Sequence, residues 1–445
     1  MEVPSGQKLF QDLPIPDSFV IYDEMETLIL DGDEEQIPEI VKFIKENFND
    51  NEYEQCYLTV INFCVMYPTR LRYFGLLYVQ MMEKIGKYPI TYTLVHLNIA
   101  LARFVYLHNG YSLQQFQSCS YFTDLYAKYF GSDTTKGLSE DQLLKFYEDD
   151  TLQSIIFHDD IDKLVQVSSL PNFDFNQRLK LNDCHFNINF EVSLIGFACL
   201  YGSVQCFKYL KLSTSGISHD TAGYAIIGGN YEIIHICIRE IGSGNILLTN
   251  AIQYHKNGIA DWLLMNTPDL KATIDAALYG FNTRAVYFYI TEPLRASTRF
   301  VKYDYDVTLA ASIGYSLLLR YYVENNKKFF RSLWNDPMLS ASMCRSFESI
   351  KILKDSGFKG NLIHIAAFGD DIELAKLFIK ESSQKDMETA MESCIKVNAV
   401  NVARILFENG YVSNVHHHMP SSEMKALFDQ YSKESNEEED KNDEE

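Results

Sequence analysis

The sequence predicts an all-α fold in which short helix-turn-helix units stack into a solenoid behind an all-helical amino-terminal domain. Two observations predict the stack. The first is a repeated phrase: Leu194-Ile195-Gly196-Phe197-Ala198-Cys199-Leu200-Tyr201-Gly202 returns as Ala222-Gly223-Tyr224-Ala225-Ile226-Ile227-Gly228-Gly229, each a short helix closed by glycine. The second is the apolar spacing after each glycine. Phe207 and Leu210 in one copy, and Ile234 and Cys237 in the next, stand at the same offsets and mark a second amphipathic helix. A helix pair this small cannot bury its apolar face alone, so copies must stack. A third observation predicts the amino-terminal domain, where helical periods recur and no alternating run is long enough for a strand.

Taken in order, the prolines and aperiodic residues 1–16 predict a flexible leader. Residues 17–148 then carry helical periods. Ser18 is placed to cap a helix bearing Phe19, Tyr22, Met25 and Ile29. Pro38 precedes the stripe Ile40, Val41, Ile44 and Phe48. Helical patterns continue over 53–66, 68–85, 89–107 and 112–130, with Pro68 and Pro89 at starts and Gly86, Gly110 and Gly131 at stops. The aromatic residues between Tyr53 and Tyr78 fit core packing between two successive helices. Residues 132–137 have the composition of a linker, and Ser139-Glu140-Asp141-Gln142 predicts a capping box.

The repeats are expected over 149–432. A terminal, atypical copy spans 151–167, with Asp159 where glycine stands later. Beyond it the copies are marked by their first small residue: Ala198, Ala225, Ala251, Ala276, Ala310, Ala341, Ala366 and Cys394, spaced by 25 to 34 residues. The turn position four residues on is Gly202, Gly229, Gly280 and Gly314, but His255, Arg345 and Asn398 elsewhere; in the seventh copy Gly369 comes one residue early and implies a deletion. Because that position requires a left-handed backbone, Arg345 fits it poorly. Met424, Leu427 and Phe428 predict a short capping helix, and 433–445 a disordered acidic tail: from Glu434 onward there are eight Asp or Glu and one Lys.

The segment from Leu362-Ile363-His364-Ile365-Ala366-Ala367 through Ile372-Glu373-Leu374-Ala375-Lys376-Leu377 resembles an ankyrin repeat, and Asn401 to Gly410 resembles the second helix and closing turn of the next. The degenerate style resembles the large ankyrin sets of parasitic protists. The likeness covers about Thr151 to Val412. It implies recognition of other proteins on a concave face, with no chemistry of its own. Mapped through the family pattern, the positions pointing to that face hold Phe197, Leu200, Tyr201, Tyr224, Tyr254 and Tyr279, the candidate contacts for a protein partner.

Composition excludes several classes of function. A net charge of −21 argues against a nucleic-acid surface. The longest apolar run, 90–107, is broken by His96, Asn98 and Arg103, so no membrane span is expected. Nine scattered cysteines, never spaced Cys-x-x-Cys, point to reduced thiols in the cytosol or nucleus. His416-His417-His418 is the sharpest polar cluster, but adjacent side chains diverge and no metal site is expected. The Gly228-Gly229-Asn230 and Gly242-Ser243-Gly244 turns lack the preceding strand and following Lys of a phosphate loop, and no catalytic motif is present. The expectation is therefore a non-enzymatic adaptor or scaffold without cofactor. The alternatives are an enzyme whose site lies between helical domain and repeats, and a self-assembling structural protein.

Overall fold

The turn that closes the first helix of each copy governs the local architecture. A computed structural model describes residues 10, 12–86, 98–109, 128–132, 135–181, 191–214, 216–272, 274–291, 302–325, 337–358, 362–368, 370–411 and 421–431. In the first copy Leu194–Tyr201 ends at Gly202, whose φ is +68°. The Ser203 amide then reaches back 2.9 Å to the Ala198 carbonyl, and Gly202 N–H reaches Cys199 O at 3.2 Å. This pair of bonds satisfies carbonyls that the end of a helix leaves open. The same five-residue return bond forms at Ala251, Ala310, Ala341, Ala366 and Cys394. Each of these marker residues, with Ala198 and Ala225, is fully buried. The small side chain is what lets the next helix lie close against the turn.

Two registers differ from the expectation. In the fourth copy the left-handed residue is Phe281 (φ +52°), and the return bond runs from Asn282 N to Ala277 O, so the marker is Ala277 and not Ala276. Gly280 is needed for another reason: a Cβ there would stand 2.5 Å from the Gln253 carbonyl oxygen. In the seventh copy the left-handed residue is Asp370 (φ +47°), four positions past Ala366, so no residue is deleted; Gly369 itself lies outside the described residues. The sixth copy is in register too, with Arg345 at φ +56° and Ser346 N bonded to Ala341 O.

The polar residues found in place of glycine form links to the following copy. Asp159 accepts from the amides of Gln205 and Cys206 at 3.1 and 2.8 Å. His255 Nε2 donates to Gly280 O at 2.8 Å. Arg345 pairs with Asp371 at 2.8 Å. Asp370 accepts from Val402 N at 2.9 Å and Asn401 Nδ2 at 2.7 Å. A left-handed L-residue costs roughly 1–2 kcal/mol, and a side chain capping the next helix returns about as much. Asp370→Ala is therefore expected to lose about 2 kcal/mol in urea unfolding, and Asp370→Gly about 1 kcal/mol less than that, because glycine relieves the backbone while still losing the cap. Equal losses would mean that φ at this position carries no strain.

The chain falls into two compact units, Met1–Asp306 and Val307–Glu445. In the first, the opening helices of successive copies pack in sequence: Leu194–Tyr201 on His219–Gly228, then on Asn245–Gln253, then on Ile274–Gly280. In the second, Pro337–Met343, Ile363–Phe368 and Gln384–Val397 do the same. The helix over 422–431 buries Met424, Leu427 and Phe428, and Tyr431 stacks on Phe407.

The amino-terminal helices Asp17–Asp31, Ile37–Asn47, Tyr53–Met66 and Leu71–Lys84 stand close to the expected spans, with Pro38 in the first turn of the second and Pro68 opening a 3-10 turn ahead of the fourth, and none of them starts on a side-chain cap. Ser18 therefore does not have the role expected of it. The Ser139 capping box forms, its hydroxyl accepting from Gln142 N. Of the pattern over 89–107 the described part is Ile99–Asn109; that over 112–130 lies mostly outside the described residues, as do His416 to His418 and the acidic tail. Two short antiparallel pairs depart from the purely helical expectation, Gly131–Ser132 with Thr135–Lys136 and Arg178–Lys180 with Glu191–Ser193. They lie in connections, where a two- or three-residue strand has too few side chains to show an alternating pattern. The fold is all-α with these small exceptions.

The amino-terminal helices share a compact unit with the first repeats, and the division of the chain falls after Asp306, not near residue 148. Buried polar contacts account for this. Asp23 forms an ion pair with Arg284, whose Nε lies 3.1 Å from a carboxylate oxygen. Glu26 is buried and accepts from both the amide (2.9 Å) and the hydroxyl of Thr283 at the start of Thr283–Thr291. Burial pushes the Glu26 carboxyl well above its ordinary range, against the opposing hydrogen bonds from Thr283. Part of the leader is fixed as well. Phe10 and Leu13 are buried, Phe10 N donates to Asp261 at 2.8 Å, and the Phe10 ring packs on Phe288 at 4.2 Å.

Candidate functional site

The helix Tyr53–Met66 and the turn after it meet the repeats along one line of contacts. Asn62 Nδ2 donates to Tyr279 O at 2.6 Å, the Phe63 ring meets His255 edge-on at 4.9 Å, and Tyr67 Oη donates to Tyr254 O at 2.5 Å. Beside this line a cleft of about 460 Å³ stays open. Val65, Met66, Tyr67 and Pro68 form one wall. The other comes from the turns of three successive copies: Leu200 and Tyr201, Ile227 and Gly228, Tyr254 and Lys256, with Phe157 against Tyr201.

The structure treats the six candidate contacts differently. Leu200, Tyr201 and Tyr254 come together in this cleft. Phe197 is fully buried, packed against Tyr147 and Tyr201 at 5.5 and 4.8 Å, and offers no exposed surface. Leu200 and Tyr254 are also buried, at 7% exposure each, so their contribution is to the cleft wall and not to an open groove. Tyr201 is half-buried; its hydroxyl meets that of Tyr147 at 2.7 Å and its ring meets Phe157 at 4.9 Å. Tyr224 is half-buried outside the cleft, and Tyr279 is 47% exposed. Several of these positions are covered, Tyr254 by Tyr67 and Phe197 and Tyr201 by Tyr147.

Sequence reasoning misses Tyr67, which belongs to the aromatic series assigned to the core, and Lys256, which comes after a left-handed residue and carries no motif. Lys256 is half-buried; burial lowers its pKa and Asp31 partly restores it. Its Nζ stands 5.5 Å from the centre of the Tyr67 ring. Burial also raises the phenols of Tyr67 and Tyr254, the latter to about 12. Neither phenol is suited to proton transfer near neutral pH.

Among the described residues, no group of three or more His, Cys, Asp or Glu could hold a metal ion. No helix among them is long and apolar enough to cross a membrane. The seven described cysteines are free thiols, and all but Cys344 are buried.

Residues 213–289 match a family described as a domain of unknown function, DUF3447, which is found in ankyrin-repeat proteins. The match spans the second, third and fourth copies and includes Tyr224, Tyr254, Lys256 and Tyr279. No curated protein matches the chain.

Proposed function

We propose that the chain is a non-enzymatic, protein-binding adaptor whose repeats form an ankyrin-type solenoid, and that the cleft beside Tyr67 is the part of its concave face left open to a partner. The observation that carries this reading is the cleft itself. Aromatic and aliphatic side chains from two distant stretches of sequence line one space of about 460 Å³, large enough for one or two side chains of a bound segment. Rigid tyrosines supply contact area at low entropic cost. The match over 213–289 supports the repeat assignment. For a reading as an enzyme the raised phenols of Tyr67 and Tyr254 supply no acid or base near neutral pH, and that reading would rest on Lys256, whose pKa burial lowers. A cytosolic or nuclear setting fits the free thiols.

Ile227 is half-buried at the cleft wall, so Ile227→Glu places a charge on the binding surface with little effect on the core. Affinity purification from the native cell is expected to recover partners with the wild-type chain and at least about tenfold less with the variant, at an unchanged melting temperature. Equal recovery would refute the cleft as the binding surface.

A further inference from the structure

Lys256 stands in a place that stability alone does not explain. It occupies the position just before the helix Asn257–Asn266, where the positive end of the helix dipole opposes a cation. It is half-buried against aromatic side chains. Among the described residues its ammonium makes no hydrogen bond and no ion pair; what compensates it is the face of Tyr67 and, beyond ion-pair distance, the charge of Asp31. In a chain of net charge −21, acidic partners are plentiful, and nearby lysines have them: Lys208 pairs with Glu232 and Lys211 with Glu240, both at 2.7 Å. The Lys256 ammonium instead lies over Gly229, where an added Cβ would come within 3.2 Å of Nζ, and on the wall of the cleft.

We infer that the cleft takes a ligand segment that presents a carboxylate to Lys256 and an apolar or aromatic group to Tyr67, Tyr201 and Ile227. This rests on the cleft being the binding surface and adds the chemistry of the segment that enters it. The cation supplies the one charge-assisted bond, and the ring faces supply the area. Low local polarity strengthens the bond relative to one made on the surface. An amide in the same place offers the ammonium only a neutral carbonyl oxygen, and a protonated amine offers no acceptor and a like charge, so the site discriminates by charge.

The test uses the full chain with 3-phenylpropanoate and its amide, 3-phenylpropanamide, titrated by ligand-observed NMR. The acid is expected to bind about tenfold more tightly than the amide. The preference should shrink when ionic strength rises from about 0.05 to about 0.5 M. It should vanish in Lys256→Met and survive in part in Lys256→Arg. Lys256→Met is expected to melt close to wild type, since the charge it removes makes no hydrogen bond or ion pair among the described residues and its loss forfeits only the ring face of Tyr67 and the field of Asp31. Equal binding of acid and amide, an unchanged preference in Lys256→Met, or no binding of either probe would each overturn the inference. If Ile227→Glu still abolishes partner recovery in that case, the cleft reading stands and the carboxylate preference alone falls.

Discussion

Gly228→Val is expected to destabilise the unit Met1–Asp306 by about 3 kcal/mol, although Gly228 ends a helix with ordinary geometry and valine is a better helix former than glycine. A Cβ at Gly228 would stand 2.1 Å from the Cys199 carbonyl oxygen and 2.8 Å from that of Leu200. Both obstacles are backbone, so no side chain can rotate away and the two helices must separate. Separation would open the contact between Leu194–Tyr201 and His219–Gly228 that buries Ala198 and Ala225. Gly357→Ala is the control. Its φ is +89° and an added Cβ would meet nothing within 4 Å, so the cost there is backbone strain alone, about 1 kcal/mol. Urea unfolding of the two variants compares them directly. A loss in Gly228→Val no greater than in Gly357→Ala would show that the helices do not approach this closely.

The same residues explain how much of the fold is legible in the sequence. Ala198, Ala225 and Ala251 announce the stack because the turn needs a small residue at a fixed distance before a left-handed one, and both requirements act through local sequence. Gly280 misleads by one position. A glycine can be present for its φ or for its missing Cβ, and sequence spacing does not separate the two. Asp370 and Arg345 look like departures from the pattern because the compensating bonds, to Asn401 and Val402 and to Asp371, lie in the next copy.

The candidate site is less legible for a related reason. The tyrosine positions are set by the repeat register, but their exposure depends on the segments that cover them. Tyr254 is covered because Tyr67, 187 residues earlier, donates to its carbonyl, and the docking that brings Tyr67 there rests on Asp23, Glu26 and Phe10 meeting Arg284, Thr283 and Asp261. Single polar pairs at such separation leave no period in the sequence. The described end of the stretch whose composition suggests a leader, and the helices that follow it, are thus packed against the repeats.

His255 gives that docking a dependence on pH. Burial beneath Phe63 holds its pKa down to about 4, against the raising effects of the Gly280 hydrogen bond and Asp23; Lys256 lowers it further. An unfolded histidine takes a proton below about 6.5, whereas the folded one refuses it until about 4. The unfolded state therefore binds more protons throughout that interval, and stability falls as pH drops from about 6.5 toward 4. The full loss is up to about 3 kcal/mol, less whatever water reaches the ring. His255→Asn isolates the effect, because asparagine accepts the left-handed backbone at φ +53° without titrating. Urea unfolding of both chains near pH 7.5 and near pH 4.5 is expected to show the wild type losing more than the variant, while carboxylates common to both, Glu26 included, cancel in the difference. At pH 7.5 the variant should be the weaker of the two, since it forfeits the bond to Gly280. Parallel pH profiles for the two chains would mean that His255 is protonated in the folded protein, and that Phe63 does not seal it from water.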